Sequence, residues 1–178
     1  MEGKKSLQQQ CEDTVKYLIK RISDKGIAAD LRQADNPVTS YKAWPTLIRG
    51  GIDIRRPDRD AYFVIAAALA RGKVQEDGTQ NLGEALRASF DKDSENQGEP
   101  RLRRLLSCDT VDEACQIVRP IIHLIQSREK ASLSYSRLLW DLKLFQSDAY
   151  RDRVKEIWAY SFYGEDTRKK EETKSNGS

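Results

Sequence analysis

Apolar residues recur every three or four positions along almost the whole chain, the period of helices with one buried face. Leu7, Cys11, Val15, Leu18 and Ile22 mark a first helix, for which Gly26 is the expected stop. Ala28, Leu31 and Arg32 mark a second, ended by the turn residues Asp35, Asn36 and Pro37. Tyr41, Trp44, Leu47 and Ile48 give a third ahead of Gly50 and Gly51, with Pro45 expected to kink or shorten it. Asp58 is placed to cap a fourth helix that runs to about Ala70, rich in alanine and suited to close packing.

Arg71 to Gln80 reads as a loop, after which Asn81 caps a short helix bearing Leu82, Ala85, Leu86 and Phe90. Residues 91–99 are polar and form the expected junction, a mobile one, between two helical halves, 1–90 and 100–164. A short helix follows Pro100 to about Ser107. Thr110 and Glu113 make a capping box for the next, which carries Val111, Ala114, Cys115, Val118, Ile121, Ile122 and Ile125 with a kink or break expected at Pro120. Ser134 caps a helix facing inward with Tyr135, Leu138, Leu139, Leu142 and Phe145. Asp148 caps the last, with Val154, Ile157, Trp158, Ser161 and Phe162 inward and Gly164 as its end. Residues 165–178 are charged, without apolar positions, and are expected to be a disordered tail. No segment alternates with period two. The pattern predicts one all-α domain over 1–164, a compact bundle of eight to nine helices.

With 178 residues the chain can bury a sizeable core. Its net charge of +3 points to no polyanion by itself, but cations exceed acids in 1–60 and 101–164 while acids dominate 61–100. That distribution permits local basic faces. Three cysteines, Cys11, Cys108 and Cys115, have no metal-ligand spacing and suit a reducing cytoplasm. The opening residues do not read as a signal peptide, and the apolar run Ala61 to Ala70 is too short to span a bilayer.

Candidate chemistry is sparse. His123 is the single histidine and lies among Ile121, Ile122, Leu124 and Ile125, where a packed or half-buried ring is expected rather than a base. Gly50-Gly51 lacks the lysine of a phosphate loop, and Asp58 and Asp60 fit helix-start charges better than a metal pair. No catalytic residue, metal site or cofactor is expected. The three tryptophans sit on apolar faces and are expected in the core.

The arginines are the stronger signal. Arg101, Arg103 and Arg104 alternate with Leu102, Leu105 and Leu106; Arg137 lies between Tyr135 and Leu138; Lys143 follows Leu142; Arg151 and Arg153 precede Ile157 and Trp158. Arg101 and Arg104, three apart, share a face the leucines do not occupy. Helices of this kind bury one side and offer fixed cations to phosphate, which the guanidinium fork grips well. Arg137 and Asp141, four apart, are also placed to pair internally.

Several segments together resemble one family. They are Leu31-Arg32-Gln33-Ala34-Asp35-Asn36-Pro37 through Ala43-Trp44, Asn81-Leu82-Gly83-Glu84-Ala85-Leu86, Arg101-Leu102-Arg103-Arg104-Leu105-Leu106, Arg119-Pro120, Tyr135 to Leu142, and Trp158 to Tyr163. In that order, over about residues 27–164, they are similar to the small subunit of the type I-E Cascade CRISPR surveillance complex, the CasB family. The resemblance implies an all-helical subunit without catalytic activity. It implies assembly head to tail with a second copy, contacts with the backbone and large subunits, and a basic surface on CRISPR RNA and target DNA that steadies the hybrid and the displaced strand. By position, Arg32, Arg101, Arg104, Arg151 and Arg153 match the family's basic sites, with Arg137 and Lys143 as weaker matches. Glu84 departs from the pattern, standing where a basic residue is expected, which speaks against that helix as a contact surface. The competing expectation is a helical protein–protein adaptor that touches no nucleic acid.

Overall fold

The computed structural model describes residues 3–91, 94 and 97–175, with backbone alone for 165–175. Among the described residues nine α-helices follow one another: α1 (Leu7–Arg21), α2 (Lys25–Leu31), α3 (Trp44–Arg49), α4 (Arg59–Arg71), α5 (Leu82–Ala88), α6 (Glu99–Leu106), α7 (Val111–Arg128), α8 (Tyr135–Phe145) and α9 (Asp148–Ser175), with a 3-10 turn at Ser40–Lys42. No strand occurs among the described residues; one isolated bridge pairs Gln80 with Leu133. No helix there is long and apolar enough to cross a membrane.

Short side chains set most helix starts. Ser6 accepts the amide of Gln9, Ser134 that of Arg137, and Thr110 with Glu113 closes the capping box expected for α7. Asp24 accepts the amides of both Gly26 and Ile27, so Gly26 lies inside α2 and does not stop α1. Proline behaves differently from expectation in two places. Pro45 falls in the first turn of α3, where its missing N–H has no partner to lose, so it begins a helix. α7 continues through Pro120, held by the buried side chains Val118, Ile121 and Ile122 around it. Gly164 does not end α9 either. A helical glycine costs about 1 kcal/mol against alanine but keeps its backbone donor, and the helix continues to Ser175 where a disordered tail was expected; 176–178 lie outside the described residues, as do 92, 93, 95 and 96 of the junction.

One core unites segments on both sides of that junction. α1 packs on α8, α4 on both α7 and α8, and α5 on α9. α4 lies at the centre: from Phe63 to Ala70 every side chain is buried. Its alanines let neighbouring helices approach closely. Trp158 is fully buried and stacks on Phe145 at 5.9 Å between centroids. Gly83 shows why α5 needs its glycine: a Cβ there would overlap the carbonyl oxygen of Trp158. The same motif explains Glu84. Its carboxylate accepts the amide of Asn81 at 2.8 Å while Asn81 accepts its own amide, a capping box that anchors α5.

The long loop before α5 is tied to α8. Asp77 accepts the amides of Tyr135 (2.6 Å) and Ser136 (3.2 Å) at the helix start, where a carboxylate is favoured. The amides of Thr79 and Gln80 meet the carbonyl of Ser132.

Candidate nucleic-acid interface

α6 and α9 lie side by side and antiparallel. At one end the Tyr163 hydroxyl donates to Glu99 at 3.1 Å; at the other Lys155 approaches Asp109 at 3.6 Å. Leu102 and Leu105 turn α6 inward and are fully buried, which leaves the arginines outside. Arg103 takes the flank toward α9 and pairs with Glu99 at 2.8 Å. Arg101 and Arg104 take the far side. Arg101 donates to the carbonyl of Gln97 at 2.8 Å and has no carboxylate in ion-pair range among the described residues. Arg104 is exposed, with no carboxylate in ion-pair range among the described residues, and so is Arg153 on the solvent side of α9. Arg104 and Arg153 lie toward the same end of the helix pair, because Lys155 meets Asp109 just beyond α6.

Tyr160 completes this face. It is 77% exposed and lies seven residues from Arg153, two helical turns along the same side. An exposed ring beside a cation offers a base a stacking surface. The spacing of seven between Arg153 and Tyr160 is the signal the sequence carries for it.

Other expected contacts belong to the interior or its edge. Lys143 is a correction: its side chain is only 8% exposed and its ammonium donates to Asp58 at 2.5 Å and to the Tyr62 hydroxyl at 2.7 Å. Burial alone would lower its pKa, but Asp58 and Tyr62 outweigh burial and the pKa is raised. Asp58 likewise sits below its ordinary range, because Lys143 and Arg56 overcome the opposing effect of burial. A lysine held so is not available to phosphate. Asp58 therefore serves this pair, and it makes no side-chain cap to α4.

Arg137 pairs with Asp141 at 3.2 Å and lies over the Trp140 ring at 4.8 Å. Arg151 donates to the carbonyl of Phe145 and pairs with Asp148 at 2.8 Å. Both are half-buried and spoken for. Arg32 is half-buried at the end of α2, its carbonyl accepting from Arg71 at 2.9 Å. That helix packs on α4, apart from the α6–α9 pairing. The structure thus leaves Arg104 on α6 and Arg153 on α9 exposed without a carboxylate partner among the described residues, sets Arg101 and the paired Arg103 on α6 with Arg104, and leaves Arg32, Arg137, Lys143 and Arg151 elsewhere or neutralised.

The thiols are buried and their pKa values raised by burial, Cys11 up to about 12, which removes the thiolate needed for attack or ligation. No cluster of metal-ligating side chains occurs among the described residues. His123, expected to be packed or half-buried, is exposed: it stands on the outer side of α7 beside Arg119 and Asp35. Trp158 lies in the core as expected, Trp140 is half-buried, and Trp44 is 37% exposed, contrary to expectation.

Residues 28–163 match the family model of the CRISPR-associated protein Cse2. Among solved structures, a CasB of M. ruber shares 25% identity over 96% of this chain and 98% of its own, with a TM-score of 0.69. A Cse2-family CRISPR-associated protein of Thermus thermophilus shares 22% identity over 86% and 97%, with a TM-score of 0.71. A chain of a CRISPR RNA-guided surveillance complex superimposes with a TM-score of 0.71 at 19% identity, over 89% and 93%. No curated protein sequence matches significantly.

Proposed function

The chain belongs to the Cse2 family of CRISPR-associated proteins, and on that premise we propose that it acts as the non-catalytic small subunit of a type I-E surveillance complex. It would hold nucleic-acid backbone on the outer face of α6 and α9, steadying the guide–target hybrid and the displaced strand. One observation carries the reading: Arg104 and Arg153 remain exposed without a carboxylate partner among the described residues, whereas Arg103, Arg137, Lys143 and Arg151 are each held by a carboxylate.

Three guanidinium groups suffice for that role. Exchange of a DNA duplex for an RNA–DNA hybrid is nearly balanced, so a few phosphate contacts to the freed strand shift it. Such contacts position the strand and read no sequence. The proposed partners are the backbone and large subunits, a second copy of this chain, the CRISPR RNA and its target DNA. Neither a membrane nor a cofactor enters the reading, and the site of action is the cytoplasm.

The pairing of Arg103, Arg137, Lys143 and Arg151 favours a second reading, an adaptor that holds protein subunits and leaves nucleic acid alone. The two separate cleanly. Arg101→Ala with Arg104→Ala, in the assembled complex, weakens retention of target DNA without altering the melting temperature if the first reading holds. Unchanged retention supports the adaptor.

A further inference from the structure

The segment between α2 and α4 carries an apolar surface left exposed among the described residues. Val38 is 80% exposed, Tyr41 57% and Ile48 54%. Trp44, 37% exposed, is three residues from Tyr41 and four from Ile48, the spacing of neighbours on a helical surface. These four are a concentration of large exposed apolar groups within eleven residues of chain, unlike the scattered single exposures normal for a surface.

Trp44 also forms one wall of a cleft of about 480 Å³ between that segment, α4 and α7. Pro37 and Phe63 line its apolar side. Asp60, from the first turn of α4, and Asp112, from the first turn of α7, stand on its polar side. Asp112 has no cation in ion-pair range among the described residues, and Asp60 has only a long pair with Arg59. Arg119 is committed to Asp35 at 2.9 Å, and Arg59 stays 3.8 Å from Asp60 while lying over the Phe63 ring. Asp60 holds its proton more tightly than an ordinary aspartate, through burial and the nearby charge of Asp112. Two acids stand beside an indole, and among the described residues the one cation paired with either is Arg59, at 3.8 Å from Asp60.

We infer that this face is a protein-docking surface: the apolar patch of Val38, Tyr41 and Ile48 receives a neighbouring subunit, whose arginine side chain enters the cleft between Trp44 and the carboxylates of Asp60 and Asp112. Arginine fits each part of the cleft. Its plane stacks on the indole, its fork reaches carboxylates on the polar side, and its weak hydration eases transfer out of water. A buried arginine anchor among aromatic neighbours is also the composition of strong interface positions. A phosphate chain is disfavoured here, because it would meet two carboxylates first. The inference rests on the assembly reading above and names the face by which assembly occurs.

The test uses the cognate guide-RNA complex purified without this subunit as the probe, titrated with wild-type chain, Ile48→Asp and Asp112→Lys. Both substitutions are at exposed positions, and thermal melting checks that each variant folds. Each is expected to weaken joining of the complex by about tenfold or more, with affinity of the free chain for a DNA oligonucleotide unchanged. Normal joining by both folded variants overturns the docking surface while leaving the assembly reading intact. A change in oligonucleotide affinity with normal joining also overturns it, and assigns the face to nucleic acid. Failure of wild-type chain to join overturns the assembly reading and this surface with it.

Discussion

The indole N–H of Trp158 donates to the carboxylate of Asp141 at 2.9 Å, joining two residues that are almost wholly buried, one on α9 and one on α8. Arg137 reaches the other oxygen from the surface at 3.2 Å. The aspartate so held explains why Arg137 is turned from solvent, and burial still raises its pKa against both partners. Trp158→Phe keeps the ring and removes the donor. Chemical denaturation is expected to show a loss of about 1–3 kcal/mol at neutral pH. An unchanged midpoint would show that the bond contributes nothing.

Lys143 and Asp58 make a second buried pair, bridging α8 to the start of α4. Removing one partner strands the other as an isolated charge, which costs about 3–5 kcal/mol. Lys143→Met is therefore expected to lower stability by that order. Adding Asp58→Asn is expected to recover part of the loss. Neither change should alter nucleic-acid affinity in folded protein, in contrast to the arginines of α6.

The pH response follows from Asp58 and Asp141, with opposite signs. The folded-state pKa of Asp58 lies below its ordinary value of 3.8. Its stabilisation is complete above that value and is lost as pH falls through the folded one. The pKa of Asp141 is raised, so the folded state takes up that proton first, and acidification through its folded value adds stability. Asp58→Asn is expected to flatten the acid-side fall of the melting temperature, and Asp141→Asn to remove the contrary rise. Parallel pH curves for wild type and both variants would contradict these assignments.

Gly83→Ala places a methyl group against the carbonyl of Trp158, a backbone atom that cannot rotate away. α5 and α9 must separate. The expected loss is about 1–3 kcal/mol in denaturant unfolding, whereas Gly3→Ala, where nothing lies nearby, should be neutral.

The helices were legible because their information is local. Asn81, Thr110 and Ser134 sit where caps were expected, and the leucines of α6 and α8 face inward at the spacing the sequence displays. What was not legible depends on partners far along the chain. Lys143 and Asp58 are 85 residues apart, so a cation beside an apolar stripe could not be told from a surface one. Glu84 looked like a departure at a contact site until its capping bond to Asn81 was seen. Trp44 carries an apolar neighbourhood in sequence, yet the short α3 leaves it partly uncovered. Arg101 and Arg104 are exposed while Leu102 and Leu105 are buried, a division that local periodicity sets.

Salt dependence of DNA binding measures phosphate contacts most directly. In the assembled complex, retention of single-stranded target is to be followed across a salt series for wild type and for Arg101→Ala/Arg104→Ala/Arg153→Ala. Each contact contributes a slope of about −0.7 in log affinity against log salt on single strands. The triple variant is expected to bind more weakly with a slope shallower by about 2. Equal affinity and equal slope in the two proteins would show that no phosphate rests on this face.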